Sequence, residues 1–190
     1  MHDILQLDIQ GTPQDWISAQ EAASLLYAGH IAWSAGPAVR TLYGGVQRVS
    51  GLRSSVEVPA IVATRGHPKT NLADHVPSLG RSNVKLFARD RNICAYCGDR
   101  HGTSGLTRDH IMPVSRGGED SWMNVVTACY RCNQEKGAKT PEQYGRQLIY
   151  LPYTPNWFED IILRRGGRRI LADQMGFLEG RLPAHSRLRN

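Results

Sequence analysis

The chain has 190 residues, a formal net charge of +6 and an apolar fraction of 41%. This length suits one domain of generous size or a small module with attached elements, and the apolar fraction is ordinary for a globular protein. No run of about 18 apolar residues is present, and the start of the chain lacks a basic segment followed by an apolar one. We therefore expect no membrane partner and no secretory signal, and we predict a cytoplasmic protein.

The first predicted element is a helix. Ser18 and Glu21 have the spacing of a capping box, in which each side chain accepts a backbone N–H of the other residue. Apolar residues at helical spacing follow this pair. The sequence therefore predicts a helix over residues 18–29 that ends near Gly29.

Two β segments follow the helix. Residues 41–51 predict a strand, a turn and a second strand, with the turn at Gly44 and Gly45. Residues 55–64 are rich in β-branched side chains and predict a strand that is broken at Pro59.

The positive charge of the chain is concentrated in its second part. Residues 1–80 hold 5 Lys and Arg against 6 Asp and Glu, whereas residues 81–190 hold 18 against 11. Such an excess predicts a polyanionic partner; the alternative is a solvated basic surface that binds nothing in particular. We interpret residues 1–80 as a small mixed α and β region, whose role the sequence does not reveal.

Four cysteines form two Cys-x-x-Cys pairs separated by 31 residues: Cys94, Cys97, Cys129 and Cys132. A reducing compartment disfavours disulfides, and two such pairs match the pattern of a four-thiolate zinc site. The alternatives are redox dithiols or unlinked thiols, but a redox pair would not need a second matching pair. The sequence therefore predicts a structural zinc ion.

The segment from the first cysteine pair to just beyond the second predicts a strand, a loop, a strand and a helix. The predicted bounds are 106–111 for the first strand, 115–120 for the loop, 124–128 for the second strand and 129–137 for the helix. Such a small segment buries little apolar surface, so we expect the zinc ion to supply folding free energy.

Four polar residues of this segment are predicted to lie near each other: Asp109, His110, Asn124 and Asn133. Histidine is suited to activate water because its unperturbed pKa is about 6.5, and the oxygens of Asp109 and Asn133 suit Mg²⁺ or Mn²⁺. Asp109 and His110 are adjacent, so they can serve one site only if the end of the strand is twisted or bulged. The structural alternatives are a helix cap for Asn133 and a turn residue for Asn124.

The order and spacing of these residues resemble the HNH endonucleases. The pattern is Cys-x-x-Cys, Asp-His-Ile-x-Pro, Gly-Gly, Trp-x-Asn and Cys-x-x-Cys-Asn-x-x-Lys-Gly, and the resemblance covers about residues 85–145. It implies a ββα-metal fold with an added four-cysteine zinc site, and metal-dependent cleavage of nucleic acid, usually double-stranded DNA.

The resemblance also implies roles for single residues. His110 would activate water, Asp109 and Asn133 would hold the catalytic Mg²⁺ or Mn²⁺, and Asn124 would brace the loop and orient His110. Asn133 stands where the family name gives a second histidine. It keeps an oxygen ligand, which favours a hard divalent ion.

The C-terminal part predicts two helical runs within residues 154–180, hinged at Gly166 and Gly167. The residues predicted to contact nucleic acid are basic: Arg108, Arg116, Arg131, Lys136, Arg164, Arg165, Arg168 and Arg169. The alternative is that these side chains are only solvated. A cation at the C-terminal end of a helix also stabilises that helix by its interaction with the macrodipole.

Together these patterns predict an α+β protein in three parts. Residues 81–145 form the ββα-metal nuclease module with its structural zinc, after the N-terminal region 1–80 and before a basic helical extension over residues 146–190. We predict a divalent-metal-dependent endonuclease. The alternative is a non-catalytic, zinc-stabilised nucleic-acid-binding module, which would have no use for an imidazole beside a carboxylate.

Overall fold

The structure is a computed structural model that describes residues 2–66, 68–69, 72, 75–166 and 169–189. The chain divides into two compact units. The first unit comprises residues 1–72 and 169–181, and the second comprises residues 73–168 and 182–190. No helix in the described ranges is long and apolar enough to span a membrane.

The described residues form six strands and six α-helices. The strands are β1 (His2–Leu7), β2 (Pro13–Ser18), β3 (Ile31–Val46), β4 (Arg53–Thr64), β5 (Leu106–His110) and β6 (Val125–Cys129). The helices are α1 (Ala19–Tyr27), α2 (Val84–Arg89), α3 (Tyr130–Lys136), α4 (Pro141–Tyr144), α5 (Trp157–Leu163) and α6 (Ala172–Glu179). The protein is therefore α+β, as predicted.

The first unit is built on a four-stranded sheet with the order β2-β1-β4-β3. Helix α1 begins at the predicted capping box, in which the Ser18 side chain accepts the N–H of Glu21 and the Glu21 carboxylate accepts the N–H of Ser18. It ends at Tyr27, just before Gly29 with its φ of +71°. The predicted helix is thus confirmed.

The strand predictions for this unit are wrong in two details. Strand β3 runs through Gly44 to Val46, so the turn to β4 lies at residues 47–52 and not at the glycine pair. The glycine pair therefore lies within the β3–β4 ladder, where Tyr43 pairs with Ser55 and Val46 pairs with Arg53. Strand β4 is not broken at Pro59, because the ladder shifts register at its partner Ala38 and such irregularities tolerate proline.

The predicted extension over residues 146–190 does not form a unit of its own. Helix α6 joins the first unit, where the Gln174 side chain donates to the carbonyls of Asp3 and Ala60, both at 2.9 Å. The flanking stretches belong to the second unit. The basic C-terminal segment therefore contributes residues to both units.

The second unit contains the predicted strand, loop, strand and helix. Strands β5 and β6 pair antiparallel with a regular register from Leu106↔Cys129 to His110↔Val125, and α3 follows β6 directly. This is the ββα arrangement, and its bounds lie within about two residues of the predicted ones.

A buried ion pair ties α2 to this ribbon. Arg89 and Asp90 have no exposed side-chain surface, and the guanidinium binds both carboxylate oxygens at 2.8 and 3.0 Å. Arg89 also donates to the carbonyls of Trp122 and Val125 at the start of β6, both at 2.8 Å. The Nη2 of Arg187 lies 3.1 Å from Asp90 as well, so the C-terminal residues complete this network.

Candidate metal and catalytic centre

Four cysteine thiols converge in the second unit: Cys94, Cys97, Cys129 and Cys132. All four sulfur atoms lie within 4.8 Å of one another, and those of Cys97 and Cys129 are 4.0 Å apart. A tetrahedral zinc ion with Zn–S bonds of about 2.3 Å holds its sulfurs about 3.8 Å apart. The donors and their spacing therefore fit a four-thiolate metal site. Asp99 and His101 also lie near Cys97, but four thiols already complete the coordination.

Local turns aim these thiols at one point. Gly98 has a φ of +79°, which glycine adopts easily, and donates its N–H to the carbonyl of Cys94 at 3.0 Å. Cys129 caps α3, because its sulfur accepts the N–H of Cys132 at 3.5 Å. Burial raises the pKa of the Cys94 thiol, but backbone hydrogen bonds outweigh it and lower that pKa. Burial is the largest cause that raises the pKa values of the Cys97 and Cys132 thiols, so a bound cation is needed to hold all the thiols of the cluster as thiolates.

The carboxylate of Asp109 lies in the interior between β5 and α3. Its Oδ1 is 2.9 Å from the ammonium of Lys136, and its Oδ2 accepts the hydroxyl of Tyr96 at 2.5 Å. Lys136 also donates to the carbonyl of His110 at 2.7 Å. Burial, and then the hydrogen bond to Asp109, raise the pKa of Tyr96, so the phenol keeps its proton and donates.

Two sequence predictions meet a different environment here. The sequence analysis predicted that Lys136 contacts nucleic acid. Its side chain is instead 0% exposed, so it balances the charge of Asp109 and does not present a cation to phosphate. Asp109 has both oxygens engaged within the protein. A carboxylate offers about four lone-pair positions, so an ion beside Asp109 would share it with Lys136 or displace that ammonium.

His110 points to the other face of the ribbon. The ladder is regular at the end of β5, so the condition of a bulge that would bring Asp109 and His110 to one face is not met. The His110 side chain is 23% exposed, and its Nε2 lies 3.0 Å from the Oδ1 of Asp120. The structure therefore pairs the imidazole with a carboxylate that the sequence interpretation missed.

Asp120 is held in place by Arg108. The Nη1 of Arg108 lies 2.5 Å from the second oxygen of Asp120, and other guanidinium nitrogens bind Asn83 Oδ1 and the carbonyl of Gly80. Partial burial raises the pKa of Asp120, but Arg108 and then His110 outweigh it and lower that pKa. The guanidinium of Arg108 is thus engaged by partners within the protein, whereas the sequence analysis predicted that it contacts phosphate. The alternation of side chains along β5 places Arg108 and His110 on one face, but it does not identify Asp120 as the partner of both.

Asn124 braces the loop between the two strands. Its Oδ1 accepts the N–H of Met112 at 2.9 Å, and its Nδ2 donates to the carbonyls of Met112 and Glu119 at 3.1 and 2.8 Å. The loop passes so close to itself at Gly118 that a Cβ there would lie 1.8 Å from the oxygen of Met112. The position of Asn124 agrees with the implied bracing, and the loop that it braces carries Asp120.

Asn133 lies within α3 on the side that faces β5. Its Nδ2 donates to Thr107 Oγ1 at 2.8 Å and to the carbonyl of Arg108 at 3.4 Å. The N-cap of this helix is Cys129, so the capping alternative for Asn133 does not hold. Thr107 and Asp109 share one face of the strand, so Asn133 and Asp109 lie on the same side of the ribbon.

The remaining predicted basic residues fall in different surroundings. Arg116, Arg131 and Arg169 are exposed, and Arg168 lies outside the described residues. Arg164 pairs with Asp160 at 3.0 Å, and Arg165 is buried, so these two differ from free surface cations.

Comparison with known proteins gives local matches. Residues 94–149 match the sequence model of a family described as HNH endonuclease. A CRISPR-associated endonuclease Cas9 of Campylobacter jejuni is 39% identical over 69 residues, which cover 33% of this chain and 7% of that protein. A Cas9 of Corynebacterium diphtheriae is 44% identical over 45 residues, 23% of this chain and 4% of that protein. The chain thus spans only a small part of the length of these relatives.

Proposed function

We propose that this protein, whose residues 94–149 form an HNH endonuclease domain, is a divalent-metal-dependent endonuclease that hydrolyses phosphodiester bonds in double-stranded DNA. The observation that carries the proposal is the contact between His110 and Asp120 at the accessible end of β5. A general base must be reachable by water and held in one orientation, and the imidazole meets both conditions.

His110 is the base in this proposal. The tautomer that donates from Nε2 to Asp120 leaves Nδ1 free to accept a proton from water. Asp120 then stabilises the imidazolium that forms, because the carboxylate lies 3.0 Å from the ring. Arg108 holds Asp120 from the other side, so the ring, the carboxylate and the guanidinium form one chain of contacts.

Two ions belong to the proposal. The cysteine thiols hold a structural Zn²⁺, supported by their four-sulfur spacing. Asp109 and Asn133 would hold the catalytic Mg²⁺ or Mn²⁺, supported by their oxygen donors and by their placement on one side of the ribbon. Since the regular ladder directs His110 to the other face, this role requires that the twist at the end of β5 bring the ion and the imidazole to one phosphate. When bound, that ion neutralises charge that develops on the phosphate oxygens.

Among the predicted phosphate contacts of the ββα module, Arg116 and Arg131 are the ones with exposed side chains. Glu135, and then the thiols of Cys132 and Cys129, raise the pKa of Arg131, so it keeps its charge. We assign both arginines to backbone contacts, which add affinity without reading sequence.

The experiment compares the wild type with His110→Ala on plasmid, single-stranded DNA, branched DNA and RNA, with Mg²⁺ or Mn²⁺. His185→Ala is the matched control, because His185 is an exposed histidine of the same unit. We expect cleavage of duplex DNA by the wild type and the control, and retained folding and DNA binding without cleavage by His110→Ala. Cleavage by His110→Ala at the wild-type rate would overturn the mechanism. Binding without cleavage by the wild type would support the non-catalytic module instead.

A further inference from the structure

The first unit carries a two-stranded arm that the endonuclease chemistry does not use. Strand β1 pairs with β4 at Ile61–Ala63, and no third strand among the described residues pairs with the part of the hairpin nearer its turn. There β3 and β4 pair only with each other, from Arg40↔Val58 to Val46↔Arg53. We call residues 40–56 the hairpin arm.

The end of the hairpin arm is open to solvent. Every residue from 43 to 55 is exposed, including the large side chains of Tyr43, Val46, Val49 and Leu52. The base of the arm is anchored, because Leu42 and Val56 pack against the buried residues of the first unit. An isolated two-stranded ribbon is marginally stable on its own, so this exposure suits a surface that meets a partner.

The charge of the arm and its immediate neighbours is mainly positive. Residues 31–56 contain Arg40, Arg48 and Arg53 and no Asp or Glu. Glu57, which follows the arm directly, is exposed and lies opposite Thr41, so the ribbon carries one acidic residue beside three arginines. Arg53 stacks over the ring of Tyr43, with the guanidinium carbon 5.1 Å from the ring centroid. The arm therefore combines three cations with one stacked aromatic side chain, and these cations outnumber the one acidic residue beside them.

We propose that the hairpin arm is a second nucleic-acid contact, which lies against duplex DNA through Arg40, Arg48 and Arg53. This inference rests on the proposed function, because it takes the same substrate class. A two-stranded β ribbon has the width that the major groove of B-DNA admits, and arginine binds both phosphates and guanine edges there. The excess of three arginines over one acidic residue in this ribbon favours a polyanion such as DNA as the partner.

The test measures binding of a labelled DNA duplex by fluorescence anisotropy over a range of salt concentrations. All proteins are the full chain with His110→Ala, so that Mg²⁺ can be present without cleavage. The first variant adds Arg40→Gln, Arg48→Gln and Arg53→Gln. Each lost phosphate contact lowers the slope of log K against log salt by about 0.9, so we expect a slope smaller by roughly 2 to 3 and at least about tenfold weaker binding.

The triple arginine variant also removes the hydrogen bond that Arg53 donates to the carbonyl of Gly44 at 3.1 Å, so it changes the structure of the tip as well as its charge. A second variant separates these two effects. Val49→Lys adds a charge at a fully exposed position of the turn and should steepen the slope by about 0.9. The matched control is Thr41→Ala with Ser55→Ala, which changes exposed uncharged residues of the same ribbon and should leave the slope unchanged.

The outcomes separate this inference from the function on which it rests. If the parent protein does not bind duplex DNA, the proposed substrate is wrong. If the parent binds and neither the arginine variant nor Val49→Lys changes the slope, the arm is not a DNA contact and the inference is overturned. Unchanged DNA binding, together with loss of a self-associated species on Val49→Ser in analytical ultracentrifugation, would assign the arm to a second copy of this chain.

Discussion

The ammonium of Lys136 lies 2.9 Å from the carboxylate of Asp109, and the lysine side chain has no exposed surface. Such a pair costs desolvation energy for both groups, and its attraction in the interior offsets that cost only while both partners are present. The same lysine binds the carbonyl of His110 at 2.7 Å. Helix α3 is thereby fastened to the end of β5, where the proposed catalytic residues lie.

Replacing Lys136 with methionine should therefore destabilise the protein by about 3–5 kcal/mol, because it leaves a buried carboxylate without its cation. Chemical denaturation monitored by circular dichroism measures this. Lys139→Met is the matched control, since Lys139 is exposed and lies three residues further along. The double change Lys136→Met with Asp109→Asn should recover part of the loss. A single variant as stable as the control would show that the pair contributes little.

Asp120→Asn should slow cleavage under single-turnover conditions by about 10- to 100-fold, because the carboxylate orients the ring of His110 and small misplacements of a catalytic group have effects of this size. DNA affinity should change little. Glu119→Gln is the control, because the neighbouring side chain is exposed and only its backbone carbonyl contacts Asn124. Equal rates for the two variants would remove Asp120 from the mechanism, and Asp120→Glu should restore part of the rate.

Gly118→Ala should disrupt the loop, because the added methyl would meet the backbone oxygen of Met112 at 1.8 Å. We expect loss of cleavage and a lower melting temperature, by several degrees for a destabilisation of about 1–3 kcal/mol. Gly102→Ala is the control, since nothing lies within 4 Å of a Cβ there and its φ of −67° suits alanine. If both variants behave alike, the loop accommodates the methyl and the close approach has no importance.

Brief treatment with EDTA at moderate concentration should stop cleavage while zinc stays bound, because four thiolates hold zinc more tightly than oxygen ligands hold Mg²⁺. Adding Mg²⁺ or Mn²⁺ should restore the activity. Mass spectrometry of the zinc content and circular dichroism of the fold test whether zinc stays bound after this treatment. Loss of zinc and fold at the EDTA concentration that stops cleavage would argue against two separate sites.

Cysteine spacing and strand–turn patterns were enough to predict the ββα module. The two thiols of each pair are close because they are neighbours along the chain, whereas the convergence of the pairs across 31 residues follows from the residue types and spacing of a zinc site. The capping box of α1 is a local signal, and it is confirmed. Both features are marked by residue types at fixed spacing, which the sequence displays directly.

The surroundings of the catalytic residues could not be predicted in the same way. Lys136 binds a carboxylate 27 residues away, and Asp120 meets His110 across a loop, so nothing local marks either contact. The glycine pair in β3 has the composition of a turn, yet it lies inside the ladder that β3 forms with β4. In each of these cases a partner distant along the chain decides the environment.

The pairing of Arg187 with Asp90 has a consequence for synthesis of the protein on the ribosome. Asp90 emerges early, but its full set of partners includes a residue 97 positions later, and the buried Glu159 accepts the Ser186 hydroxyl at 2.5 Å. A nascent chain that has been translated just past Cys132 therefore holds Asp90 with Arg89 as its cationic partner, while Arg187 is still untranslated. The complete network around Asp90 forms only after residue 187 has been added to the chain.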